Sequence, residues 1–221
     1  MKTDSEIQQA VLQELKWDTR VEETDVGVEV DEGVVTLTGT VSSWAKMLAA
    51  QESAHRVAGV LDVANDIKVK VPGSFGRTDT DIARAVRSAL EWDVFVPDER
   101  IRSSVSDGWV TLDGDVDFWN QRDDVEKCVR NLGGVRGVSN KIQIKSPQVA
   151  PSEVRKSIED ALERQAEREA GRISLDVRDG RVVLSGVVRS WAEKEAVIGA
   201  TKGTPGVRDI DDHLRIKPFA A

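Results

Sequence analysis

Apolar residues recur at three- and four-residue spacing over Ile7, Ala10, Val11 and Leu15, the signature of an amphipathic helix. The period then changes to two. Val26, Val28 and Val30 alternate with Gly27, Glu29 and Asp31, and Val35, Leu37 and Val41 alternate with Thr36, Thr38 and Thr40. These are two strands joined at Glu32-Gly33, an acidic residue before glycine that suits a type I′ turn, where both central positions need positive φ. Gly39 falls on the inward face of the returning strand, where the missing side chain leaves room for a packed helix backbone. A second helix begins near Ser42 or Ser43 and points Trp44, Met47, Ala50, Ala54 and Val57 inward. It is expected to end at Gly59, with glycine in the left-handed C-cap conformation. A last strand carries Val60, Val63, Ile67 and Val69.

This pattern occurs three times in one register. Gly33, Gly108 and Gly180 align, and with them the strand glycines Gly39, Gly114 and Gly186. The tryptophans Trp44, Trp119 and Trp191 and the later glycines Gly59, Gly134 and Gly206 keep the same offsets. The repeats are residues 4–71, 79–146 and 151–218, joined by 72–78 and 147–150, and both joining segments open on proline, which ends a strand ladder. Thr3 with Glu6 and Ser190 with Glu193 are spaced as capping boxes. The fold class is α+β: three tandem α-β-β-α-β modules, each a three-stranded mixed sheet with two helices on one face. A helical crossover makes the second and third strands parallel; the middle strand is left open. Cores of 68 residues are marginal alone, so the repeats are expected to support one another.

Composition narrows the chemistry. A net charge of -8 argues against nucleic acid, whose phosphates demand a basic face. The one cysteine, Cys128, permits no intrachain disulfide and reads as a small buried hydrophobe. His55 and His213 align with Arg130 and Lys202 and with Asp66 and Lys141, so they sit at variable positions with no neighbouring Cys or His for a metal set. No P-loop, G-x-S-x-G or HExxH pattern occurs, and the expectation is no enzyme, no metal and no cofactor. The N-terminal residues lack the apolar core of a signal peptide and no window is long enough to span a membrane, so a soluble cytoplasmic protein is expected.

The repeated tryptophans read as core anchors between the second helix and the sheet. Trp109 differs: it takes the outward position held by Val34 and Arg181, so it is expected to pack against a neighbouring repeat or a partner. Val94-Phe95-Val96-Pro97 replaces Thr19-Arg20-Val21-Glu22, a second apolar departure that makes Phe95 a binding candidate; local loop packing explains it equally well.

The run from the turn glycine through V-x-L-x-G-x-V, the helix behind it, and Gly-Val with N-x-I downstream (Asn65-Asp66-Ile67, Asn140-Lys141-Ile142) resembles the BON domain. The third copy has Asp212 in place of the asparagine. The resemblance implies a non-catalytic, stress-associated binding protein of the osmotic or envelope type that attaches to phospholipid surfaces. Its alternatives are a chaperone-like protein-binding role or potassium binding. Repeat one carries net -7, repeat two -3, and repeat three is balanced at thirteen charges of each sign. For an anionic lipid surface, Arg181, Arg215 and Lys217 of repeat three are therefore the expected contact.

Overall fold

The computed structural model describes residues 2–71, 77–146, 148–165 and 173–217. Pro72 and Pro147, expected to end strand ladders, lie outside the described residues, as does the last position of repeat three.

Module one comprises α1 (Asp4–Trp17), β1 (Val26–Asp31), β2 (Val34–Val41), α2 (Trp44–Arg56) and β3 (Asp62–Val69). Module two comprises α3 (Asp79–Trp92), β4 (Ile101–Ser106), β5 (Trp109–Val116), α4 (Trp119–Arg130) and a divided last strand, β6 (Gly137–Asn140) and β7 (Gln143–Ile144). Module three comprises α5 (Pro151–Gln165), β8 (Ile173–Arg178), β9 (Arg181–Val188), α6 (Trp191–Lys202) and β10 (Asp209–Ile216). In every sheet the returning hairpin strand lies in the middle, antiparallel to the first strand and parallel to the last. That strand carries fully enclosed side chains, among them Val35, Leu37, Val110, Leu112, Val182 and Leu184. Covering each of them is worth about 1.5–3 kcal/mol.

The hairpin turns have the expected geometry, with positive φ at Glu32 and Gly33, Asp107 and Gly108, and Asp179 and Gly180. The Thr3–Glu6 box forms, and Thr78–Asp81 forms another. At α6, Ser190 caps Glu193 N, but the Glu193 carboxylate accepts from Arg189 N instead of the cap residue's own N–H.

Three local expectations are corrected. The strand glycines are not opposite a packed α-helix. A Cβ on Gly39 would run into the carbonyl of Asp25, at the end of a 3₁₀ turn entering β1, and one on Gly114 would strike the carbonyl of Arg100. The second helices stop at Arg56, Arg130 and Lys202, a turn before the glycines. Gly59, Gly134 and Gly206 serve the loop that follows, at positive φ, with the first helix's Ile7, Ile82 and Val154 against them. Finally, the last strand of module two is divided into β6 and β7, and beside the break Arg122, at the position of Met47, donates to the carbonyls of Asn140 and Ile142 at 3.0 and 3.1 Å. The asparagine of N-x-I accepts from the N–H two residues on, at 3.2 Å in both Asn65 and Asn140, and Asp212 does the same at 2.9 Å.

Candidate functional site

The repeated tryptophans join the modules to one another. Trp44 of module one packs against the core of module two, Trp119 of module two against that of module three, and Trp191 of module three against that of module one. Trp44 and Trp119 also pack against the cores of their own modules, as core anchors should, whereas Trp191 is found against the core of module one. A helical position that faces a neighbour has the same spacing as one that faces its own sheet. Because each head-to-tail contact uses the same position, the series 1→2→3→1 closes into a ring, the outcome that repeated heterologous contacts allow when the rotation closes. Polar groups flank the seams: Lys202 lies over the Trp119 ring and pairs with Asp123 at 3.0 Å, and Arg130 lies 3.9 Å from Glu52. The indole Nε1 atoms of all three tryptophans are buried without a hydrogen-bond partner among the described residues.

At the closing seam His55 stacks on Trp191, with ring centroids 3.8 Å apart and planes 17° apart. Burial holds the imidazole below the usual histidine range; Asp62 and Glu52 pull it up and Lys194 pushes it down. The folded protein therefore resists a proton that the unfolded chain accepts. The stability from this contact is fully present above the unfolded value of about 6.5 and declines as pH falls below it. The thermal midpoint of the protein is expected to fall between about pH 7.5 and 5.5, and much less so in His55→Phe. Parallel pH profiles for the two proteins would contradict the assignment.

Trp109 stands on the outward face of β5, half exposed, with its ring 6.0 Å from that of Trp44 and tilted by 58°. It lies over Gly137, its partner across β5 and β6, where any side chain would intrude on the ring. Arg181, Arg215 and Lys217 share the outward face of module three but do not form one patch. Arg215 is six residues along β10 from Asp209, the register partner of Arg181, which puts it about 20 Å away. Arg181 is moreover committed to Asp211 at 2.7 Å and Asp209 at 3.6 Å, and the Asp211 carboxylate raises its pKa.

Phe95 belongs to a run of highly exposed apolar side chains. Trp92, Val94 and Phe95 are 83%, 89% and 69% exposed. The loop that carries them is anchored: Asp93 accepts from Phe95 N at 2.9 Å and from the Cys128 thiol at 3.1 Å, Val96 N bonds Asp93 O, and Val96 itself is buried. Module one builds the same loop, with Asp18 accepting from Arg20 N and Ser53 Oγ and with Val21 buried, but tips it with Thr19 and Arg20. A common scaffold thus holds a polar tip in one copy and an apolar tip in the other. Trp92 and its counterpart Trp17, 69% exposed, add to these tips. Both follow the last stripe residue, Leu15 or Leu90, by two positions, so at 100° per residue they point away from the core, a signal present in the sequence.

Catalytic chemistry finds little here. The Cys128 thiol is pushed up to about 12 by burial and then by its bond to Asp93, so it is protonated at neutral pH. Among the described residues no three His, Cys, Asp or Glu side chains gather as a metal site requires, and no helix is long and apolar enough to cross a membrane. A cleft of about 390 Å³ lies on the seam between modules two and three, lined by Phe118, Trp119, Asp123 and Lys202 among others.

A family model described as the BON domain matches residues 3–71, 78–146 and 152–218. Osmotically-inducible protein Y of Escherichia coli (strain K12) is 33% identical over 131 residues, covering 57% of this chain and 64% of that protein. The match therefore spans somewhat less than two-thirds of that relative's length. The uncharacterized protein in the gshII 5′ region of Anaplasma centrale is 31% identical over 121 residues, covering 51% of this chain and 79% of that one. Among solved structures, the C-terminal domain of CdsD, the structural protein of the type III secretion system of Chlamydia trachomatis, aligns over 99% of this chain and 100% of that one at 12% identity. Its TM-score of 0.27 carries no argument about the arrangement of the modules.

Proposed function

The chain belongs to the BON domain family, and from that premise we propose that it is a non-catalytic, stress-associated binding protein that docks on phospholipid surfaces through Trp92, Val94 and Phe95. The stress association rests on its likeness to the osmotically inducible relative. The observation that carries the docking reading is the anchored loop that holds two apolar side chains and an adjoining indole in water. Tryptophan favours the boundary between headgroups and acyl chains, where its ring is apolar and its N–H is wet.

This reading moves the expected contact from the basic residues of repeat three to the apolar tip of repeat two. Arg181 is paired, and Arg87, on the helix that leads into the tip, is bonded to Glu91 and Asp98. With little free positive charge at the contact, binding should depend on inserted apolar area more than on lipid charge. Burying even half of one aromatic side chain, about 100 Å², contributes about 2.5 kcal/mol.

Co-sedimentation with phosphatidylcholine vesicles tests it. Recovery with neutral vesicles is expected to match or exceed that with vesicles containing anionic lipid. It should drop at least about tenfold in affinity in the Trp92→Ala/Phe95→Ala protein, a change of 1.4 kcal/mol or more, and stay unchanged in Arg215→Gln/Lys217→Gln. No recovery with either vesicle, or equal recovery of wild type and the aromatic double variant, would sink the lipid reading and leave a polypeptide as the candidate for the same tip.

A further inference from the structure

In modules one and two an aspartate at the start of the first helix clamps the hairpin turn. The two oxygens of Asp4 accept from Glu32 N at 3.0 Å and Gly33 N at 2.9 Å. Asp79 repeats the arrangement with Asp107 N at 2.8 Å and Gly108 N at 2.9 Å. Each is a bidentate carboxylate on two adjacent backbone donors. In module three the corresponding residue is Pro151, which has no carboxylate, although the turn itself, Asp179-Gly180, keeps the same backbone conformation. Among the described residues no side chain accepts from Asp179 N or Gly180 N. The hydroxyl that caps α1 and α3, from Thr3 and Thr78, is missing as well, since Ala150 takes that place. Where the aspartate side chain would lie there is a cleft of about 270 Å³ lined by Gln148, Ala150, Pro151, Asp179, Gly180 and Arg208.

The geometry points to a binding site for a carboxylate from outside module three, held by the N–H groups of Asp179 and Gly180 beside Arg208 and the first turn of α5. It goes beyond the lipid-docking reading and does not depend on it. Repeats one and two supply the template: the same turn, in the same fold, already holds a carboxylate twice. The acidic turn residue is no obstacle, because Glu32 and Asp107 stand at that position beside the clamping carboxylates of Asp4 and Asp79. Two parallel N–H donors match the two oxygens of a carboxylate, and charge-assisted bonds of this type are about twice as strong as neutral ones. The positive end of α5 and the guanidinium of Arg208, whose Nε and Nη2 donate to the Ser146 carbonyl at its edge, favour an anion there.

The test is a ¹H–¹⁵N titration of the whole chain with acetate and with N-acetyl-aspartyl-methylamide, against chloride at equal ionic strength. The amide signals of Asp179 and Gly180 are expected to shift and saturate, while those of Gly33 and Gly108, already engaged, stay in place. Saturation at lower concentration with the aspartyl compound marks an acidic side chain as the natural occupant; saturation at lower concentration with acetate marks a small free acid. Pro151→Asp supplies the internal carboxylate of the other two modules, so it should abolish the saturable shift and raise the thermal midpoint. Absence of saturation at Gly180, shifts of equal size at all three turn glycines, or a saturable shift that survives in Pro151→Asp would overturn the proposal.

Discussion

Trp191→Ala is expected to destabilise the protein by about 3 kcal/mol and to do so by opening the seam between the first and last modules. The indole packs on the core that contains Ile7, Leu15 and Leu37, and the His55 ring stacks on it. Truncation removes both contacts and exposes apolar surface on module one that no other described residue of module three covers. Denaturant unfolding should therefore begin earlier and become less cooperative, because a ring with one seam broken leaves its end modules with one neighbour each. Trp191→Phe is the informative control. It keeps most of the buried area and removes an N–H that lacks a partner, so it should cost markedly less than alanine. Equal losses for the two variants would place the energetic weight of the residue elsewhere.

Gly114→Ala is expected to cost about 3 kcal/mol or more, although it adds a single methyl group. The residue sits at φ +141°, and the added Cβ would meet the carbonyl of Arg100 far inside contact distance. The obstacle is backbone, so no side-chain rotation relieves it. Gly39 has the same geometry against Asp25, and Gly39→Ala should behave alike. Gly199 supplies the contrast: it lies inside α6, exposed, with open space where the Cβ would go. Gly199→Ala should stabilise by about 0.5–1 kcal/mol through helix propensity. Chemical denaturation of these three variants distinguishes a glycine required by a close backbone approach from one that merely occupies a helix.

Much of the fold was legible because period-two and helical patterns alternate in a fixed register three times. The type I′ turns follow from Glu32-Gly33 and its copies, and the inward faces from Val35, Leu37 and Val41. The exact partner of a side chain is a different kind of fact. Trp44 occupies a helical position that reads as core and does pack on its own module, yet it also packs on the core of the next, and spacing along one chain does not reveal the second contact. Arg181 and Arg215 share a face by alternation, but the ladder register that places Asp209 against Arg181 depends on strand order. The apolar tip was half visible: Val94 and Phe95 stand out against Thr19 and Arg20, whereas Trp92 falls outside the stripe and needs the helical wheel. The clamping role of Asp4 and Asp79 joins residues 28 and 29 positions apart and emerges only when the turn is seen against the helix start. Once seen, it makes Pro151 the informative difference among the repeats.

The ring assigns the repeated tryptophans to architecture and leaves function to the positions where the copies differ. It is tested most directly by a nuclear Overhauser measurement on the full chain between the imidazole protons of His55 and the indole protons of Trp191. Centroids 3.8 Å apart predict strong cross-peaks between residues 136 positions apart in sequence. A His55 ring that shows cross-peaks only to its own module, with none to Trp191, would contradict closure.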